Sequence, residues 1–273
     1  MSNLTQRIIT AVIGASLVIS AILYSEVTFI LFLLLIVILG MLEFYRHLKH
    51  DEKQPQVIPG LLLGVIPFLT PLIESIFGVS ANLLPLILIL PYIIFIRELY
   101  SKAEKPFTNI ALTLLGPIYL SFPLFLFYLY SLQGFSNNGQ YHPTNVLGYL
   151  FILWSADTGA YFAGRFLGKR KLFERISPKK TWEGFAGGLL LSLIVAFVIS
   201  HYYAGFDRNT WMILAIIIAT TGAFGDLVES LFKRSIAVKD SGSILPGHGG
   251  ILDRFDGLFI SAPFVFVYLL LMS

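Results

Sequence analysis

Residues 27–44 read "VTFILFLLLIVILGMLEF", with Glu43 as the single ionisable side chain. About 20 mostly apolar residues make a helix long enough to cross the hydrocarbon core of a bilayer, so this stretch is read as a membrane span. Eight further stretches read the same way: 8–24, 57–77, 82–96, 110–132, 146–167, 184–203, 211–232 and 251–272. The span at 57–77 contains Pro59, Pro67 and Pro71, and the one at 82–96 is short; neighbouring helices in a bundle can accommodate such kinks. The whole chain agrees, with 56% hydrophobic and 13% charged residues where a soluble domain carries about 25% charged. Barrel strands would alternate apolar and polar residues in segments of roughly 10, and these runs do not. The expected fold class is therefore an all-α integral membrane protein, a polytopic bundle of about nine transmembrane helices. The absence of cysteine excludes disulfides, thiolate metal sites and cysteine nucleophiles.

The connectors alternate in charge. Those before span one and after spans two, four, six and eight carry 18 of the 19 Lys and Arg residues, and the other set holds only Arg208. The positive-inside rule places the rich side in the cytoplasm, with the N-terminus inside and the C-terminus outside. Arg7 before an apolar run also fits a secretory signal. No small-x-small site follows before Tyr24 and Glu26, so an uncleaved first span is expected. No repeat, low-complexity tract or linker breaks the chain, so 1–273 is expected to be one membrane domain. Within it, 1–140 are mainly lipid-phase scaffold, and 146–273 carry the helices and cytoplasmic loops of the active site. Glu43 and Glu98 lie beside Arg46 and Arg97 at span ends and are expected to form interfacial ion pairs.

Polar residues collect in three stretches facing the basic side: "WSADTGAYFAGRFLGKR" (154–170), "RISPKKTWEG" (175–184), and the run from "GDLVESLFKR" (225–234) through "LPGHGGILDRFDG" (245–257). Asp157 lies about ten residues, on the order of 15 Å, from the cytoplasmic end of its span. A carboxylate at that depth is costly unless paired or hydrated, so it is either a functional group or a tether to another helix. Asp226, Glu229 and Lys233 stand at i, i+3 and i+7 on one helical face. Glu229 and Lys233 can pair within the helix, which leaves Asp226 a turn deeper and unexplained. Gly222 and Gly225 before it allow a backbone or ligand to approach closely. Asp253 and Asp256 open span nine, where one acid would serve as a cap; two acids, Arg254 and the preceding "GHGG" exceed that need.

Carboxylates, lysines and arginines without cysteine favour a hard divalent cation such as Mg²⁺. A Gly-rich turn before a helix N-terminus suits phosphate. Phosphoryl or nucleotidyl transfer fits this set, although no GxxxxGK[ST] P-loop is present. At the cytoplasmic membrane face, both a water-soluble nucleotide and a lipid head group can reach these residues.

Ser230 to Asp256, "SLFKRSIAVKDSGSILPGHGGILDRFD", closely resembles the signature of the phosphatidate cytidylyltransferase (CDP-diacylglycerol synthase) family. The pattern is Ser-x-x-Lys-Arg, Lys-Asp, His-Gly-Gly and Asp-Arg-x-Asp. "ADTGAYFAG" and "SPKKTWEG" resemble the family's upstream segments. The resemblance implies transfer of the cytidylyl group of CTP to phosphatidate, giving CDP-diacylglycerol and pyrophosphate, in a multi-pass protein of the cell inner membrane. It implies Mg²⁺ as cofactor, with a second, monovalent cation as a further candidate. Asp226, Asp253 and Asp256 would be the metal ligands, and with Lys233 and Arg254 the catalytic set. Lys179, Lys180, Ser230, Arg234, Lys239, Asp240, His248, Gly249, Gly250 and Asp157 would bind substrate. The expected partners are CTP, phosphatidate and the bilayer, with no nucleic acid, and small residues on the spans are compatible with a homodimer. The alternatives are a transporter using intramembrane acids, or a CTP-dependent lipid kinase. The Asp-Gly-x-x-Ala-Arg run of CDP-alcohol phosphatidyltransferases is absent.

Overall fold

A computed structural model describes residues 3–49, 53–80, 82–134, 139–236, 238 and 250–272, with side chains from residue 12 onward. Nine helices run through the described residues: α1 (Asn3–Tyr24), α2 (Glu26–Leu48), α3 (Val57–Phe77), α4 (Pro85–Leu99), α5 (Pro106–Ser131), α6 (Pro143–Leu167), α7 (Trp182–Tyr202), α8 (Arg208–Ser235) and α9 (Leu252–Met272). Seven of them, α2, α3 and α5 to α9, are long and apolar enough to span a membrane. The protein is thus an all-α polytopic chain of nine helices, seven of them long candidate spans among the described residues. α4 has 15 residues, about 22 Å of rise, which falls short of a bilayer core. The apolar part of α1 described with side chains is limited to Val12–Tyr24.

Local chemistry accounts for the helix ends. Ser25 and Thr28 form a capping box before α2, each side chain accepting the other's backbone N–H at 3.1 Å. Gly78 closes α3 in the left-handed region at φ 64°. Asp207 accepts the Thr210 N–H at 3.0 Å at the start of α8. α3 continues through Pro67 and Pro71, whereas Pro117 in α5 coincides with a π-helical turn, Pro117–Ser121. A feature not anticipated is a two-stranded antiparallel ribbon, β1 (Lys171–Phe173) and β2 (Ser177–Thr181). It ends on Thr181, which caps α7 by accepting the Gly184 N–H at 3.1 Å.

The chain packs into two compact units, Met1–Phe125 with Val238–Arg254, and Leu126–Ala237 with Phe255–Ser273. In the first, the Tyr45 hydroxyl donates to the Thr113 carbonyl at 2.6 Å. A Cβ at Gly60 or Gly116 would overlap that hydroxyl, which is why glycine stands at both positions. Glu43 and Glu98 are buried, at 4% and 5% exposure, and neither pairs with its neighbouring arginine as expected. Glu43 accepts the backbone N–H groups of Ile251 at 2.8 Å and Leu252 at 3.3 Å, so it holds the start of α9. Glu98 accepts from Gln56 Nε2 at 2.6 Å and Asn109 Nδ2 at 2.9 Å. Buried amide donors satisfy a carboxylate without the cost of a second desolvated charge. Glu43→Ala leaves two backbone donors without their acceptor, a loss of about 2 kcal/mol; the expected result is a lower apparent Tm of the purified protein.

In the second unit α6 and α7 pack through small residues. A Cβ on Gly188 would lie 2.6 Å from the Ala156 carbonyl, and one on Gly184 2.9 Å from that of Ala160. Such close backbone approach is how membrane helices associate without a hydrophobic driving force. Phe127, Tyr130, Tyr149, Phe206 and Trp211 form an aromatic cluster.

Candidate active site

The second unit gathers the acids. α8 presents Asp226 and Glu229 on one face, one turn apart, and its Gly225 lies against the backbone of Asp256 and Gly257 on α9. A side chain at Gly225 would overlap the Asp256 carbonyl. The two helices can therefore come close enough for their carboxylates to meet. One oxygen each from Asp226, Glu229 and Asp256 lie within 4.8 Å of one another. Glu229 is buried, whereas the Asp226 side chain is 49% exposed.

Lys180, on the strand leading into α7, reaches this group. Its Nζ lies 2.8 Å from Asp226 Oδ2 and donates to the Ala223 carbonyl at 2.9 Å. Ser230 Oγ donates to the other Asp226 oxygen at 3.3 Å. Lys233 Nζ pairs with Glu229 at 2.6 Å, one turn along the helix. Asp256 accepts the N–H of Gly257 at 2.8 Å. Asp157, exposed on α6, makes no hydrogen bond among the described residues and interacts electrostatically with Asp226 and Lys180. It is not tied to a Thr or Tyr of another helix there.

Four carboxylates, at 157, 226, 229 and 256, thus face two ammonium groups, at 180 and 233. The donor set is all oxygen, which suits Mg²⁺ rather than a soft metal.

Lys179 is exposed on β2, Arg234 is exposed at the end of α8, and Arg254 is exposed in the first turn of α9. Asp253 falls in the first unit, where its carboxylate accepts the N–H of buried Gly250 at 3.1 Å, ahead of the helix. Lys239, Asp240, His248 and Gly249 lie outside the described residues. Two roles escaped the sequence. Glu229 both pairs with Lys233 and joins the carboxylate group. Lys180 binds Asp226 across 46 positions, a contact that no local spacing announces.

A membrane bundle with an acidic, lysine-buttressed cluster at the α8–α9 approach is the setting for chemistry on phosphates, and comparison with known proteins defines the class. The cytidylyltransferase family model matches residues 5–272, and the chain belongs to that family. Within it, the chain is similar to the phosphatidate cytidylyltransferase of Bacillus subtilis strain 168, with 34% identity over the full length of both chains. It is also 35% identical to those of Staphylococcus haemolyticus, covering 97% of this chain and 99% of the relative, and Haemophilus influenzae, covering 96% of each.

Proposed function

We propose that this chain transfers the cytidylyl group of CTP to phosphatidate, releasing pyrophosphate and forming CDP-diacylglycerol for phospholipid biosynthesis. The observation that carries the proposal is the meeting of Asp226, Glu229 and Asp256 within 4.8 Å, in a chain similar over its full length to phosphatidate cytidylyltransferases. A phosphate oxygen of phosphatidate attacks the α-phosphorus of CTP. The bond from that phosphorus to the bridging oxygen breaks, and pyrophosphate leaves with the electron pair. The attacking group is already anionic, so no protein nucleophile is required. The obstacle is repulsion between two anions.

Asp226 and Asp256, with Glu229 beside them, would hold Mg²⁺. The ion, when bound, supplies charge neutralisation on the reacting phosphates and the departing pyrophosphate. Lys180 positions the Asp226 carboxylate and adds positive charge. Lys233, Lys179, Arg234 and Arg254 are proposed phosphate contacts, joined by Lys239, His248 and Gly249, with Asp240 a proposed substrate-binding residue. Asp253 orients Gly250 ahead of the first turn of α9, or serves as a further ligand. The Lys- and Arg-rich side would face the cytoplasm, where CTP is available, in a multi-pass protein of the inner membrane.

The test is purified protein with phosphatidate, MgCl₂ and CTP labelled at the α-phosphorus. Label entering the lipid together with pyrophosphate release is the expected result. A lipid kinase would instead leave labelled CDP in water, and a transporter would release no pyrophosphate; either outcome refutes the proposal. Chelation by EDTA is expected to stop the reaction, and added Mg²⁺ to restore it. Lys233→Ala removes one phosphate contact together with the ammonium 2.6 Å from buried Glu229. Initial-rate kinetics are expected to give an apparent KM for CTP about tenfold higher, one charge-assisted contact's worth.

A further inference from the structure

The first unit holds a groove of about 1020 Å³ that shares no residue with the carboxylate cluster. It opens where the C-terminal ends of α2 and α4 meet the connector into α3. Lys49, Lys53 and Arg97 line it, and none of the three forms an ion pair among the described residues. The acid on its wall is Glu98, which is buried and already accepts two neutral amide donors, from Gln56 and Asn109. Its charge is thus turned toward the protein and spent there. Val57 and Ile58 also line the groove as the first residues of α3. Their N–H groups have no intrahelical acceptor, and the N-cap Gln56 supplies no side-chain cap. Its Nε2 is committed to Ile94 O and Glu98. The positive end of the helix dipole therefore adds to three cations that form no ion pair among the described residues.

The groove also has an apolar flank. Ile58, Leu99 and Tyr100 are exposed at 67%, 81% and 84%. α4, too short to cross a bilayer, buries only Ile94 and Glu98 among its described side chains. An anion-binding mouth continuous with an exposed apolar helix face matches a molecule that is anionic at one end and aliphatic at the other.

We propose that this groove binds the phosphate head group of an anionic phospholipid, held by Lys49, Lys53, Arg97 and the start of α3, with its acyl chains along α4. The groove's lining shares no residue with the carboxylate cluster, and head-group binding there does not depend on the proposed reaction.

Native mass spectrometry of the purified full-length protein, with phosphatidylglycerol, phosphatidylcholine or inorganic phosphate as probes and without CTP, tests it. Wild type is expected to retain phosphatidylglycerol in preference to phosphatidylcholine. Each of Lys49→Gln, Lys53→Gln and Arg97→Gln is expected to weaken retention about fivefold, the effect of one cation at an anionic surface. Lys180→Ala, in the second unit, leaves retention unchanged. Raising salt toward 0.5 M on wild type alone erases the preference, a reading that holds even if a multiple variant fails to fold. Equal retention of the two lipids by wild type, or retention that the three substitutions leave intact, overturns the proposal. Displacement of the lipid by millimolar inorganic phosphate overturns it too, in favour of a free-phosphate site.

Discussion

Asp256→Asn is expected to lower cytidylyl transfer by about 10³-fold or more, with the protein still inserted in the membrane and extracted as wild type is. The substitution keeps an oxygen to accept the Gly257 N–H, so the local turn survives. It removes one of three negative charges whose oxygens lie within 4.8 Å. Electrostatic groups aimed at developing phosphate charge contribute on this scale. Asp226→Asn is expected to be as severe, since it also loosens Lys180, whose ammonium lies 2.8 Å from that carboxylate. In both variants kcat falls rather than KM alone, because the lost charge serves the transition state. Raising Mg²⁺ partly restores activity if a ligand has been weakened. Near-wild-type turnover in either variant removes that residue from the site. Asp253→Asn is the informative comparison. An amide oxygen there can still accept the Gly250 N–H, so a loss as deep as that of Asp256→Asn places Asp253 among the ligands, and a mild one leaves it a cap.

Gly225→Val is the second large effect. The new side chain would overlap the carbonyl of Asp256, which belongs to rigid helical backbone and cannot swing aside as a side chain could. α8 and α9 must separate, and the carboxylates they carry separate with them. A displacement of about 1 Å at a reacting centre costs roughly 100-fold in rate, and overpacking of this kind destabilises by about 1–3 kcal/mol. The expected outcome is therefore a fall of about 100-fold in activity, with Mg²⁺ required at higher concentration and only a modest drop in apparent Tm. Gly225→Ala should lie between, since its single methyl meets the same carbonyl. A variant that lost activity only by failing to accumulate would show normal specific activity in its folded fraction, and that result would separate positioning from stability.

Much of the architecture was legible in the residues because hydropathy, prolines and caps act locally. The stretch at 57–77 is a helix with those same ends, and the other eight helices overlap their expected spans, most within a few residues at each end. The ribbon at 171–181 was not legible, because so short a pairing carries no clear alternation. Its consequence is large: it delivers Lys180 to Asp226. The i, i+3, i+7 spacing on α8 placed Asp226, Glu229 and Lys233 on one face, and it left open whether Glu229 serves Lys233 or the acid cluster. It does both.

By itself the sequence determined the membrane class, the helix positions and the inventory of acids and cations, since each follows from side-chain transfer free energies and from contacts within a turn or two of helix. Only the tertiary structure decided which of those acids meet. Asp256 joins Asp226 and Glu229, because glycine at 225 lets the backbone of Asp256 and Gly257 approach at that level. Glu43 spends its charge on backbone N–H groups 208 positions away rather than on Arg46 three residues on. A buried carboxylate takes the donors that helix packing brings to it, and packing partners are set by the whole chain, not by neighbours in the sequence.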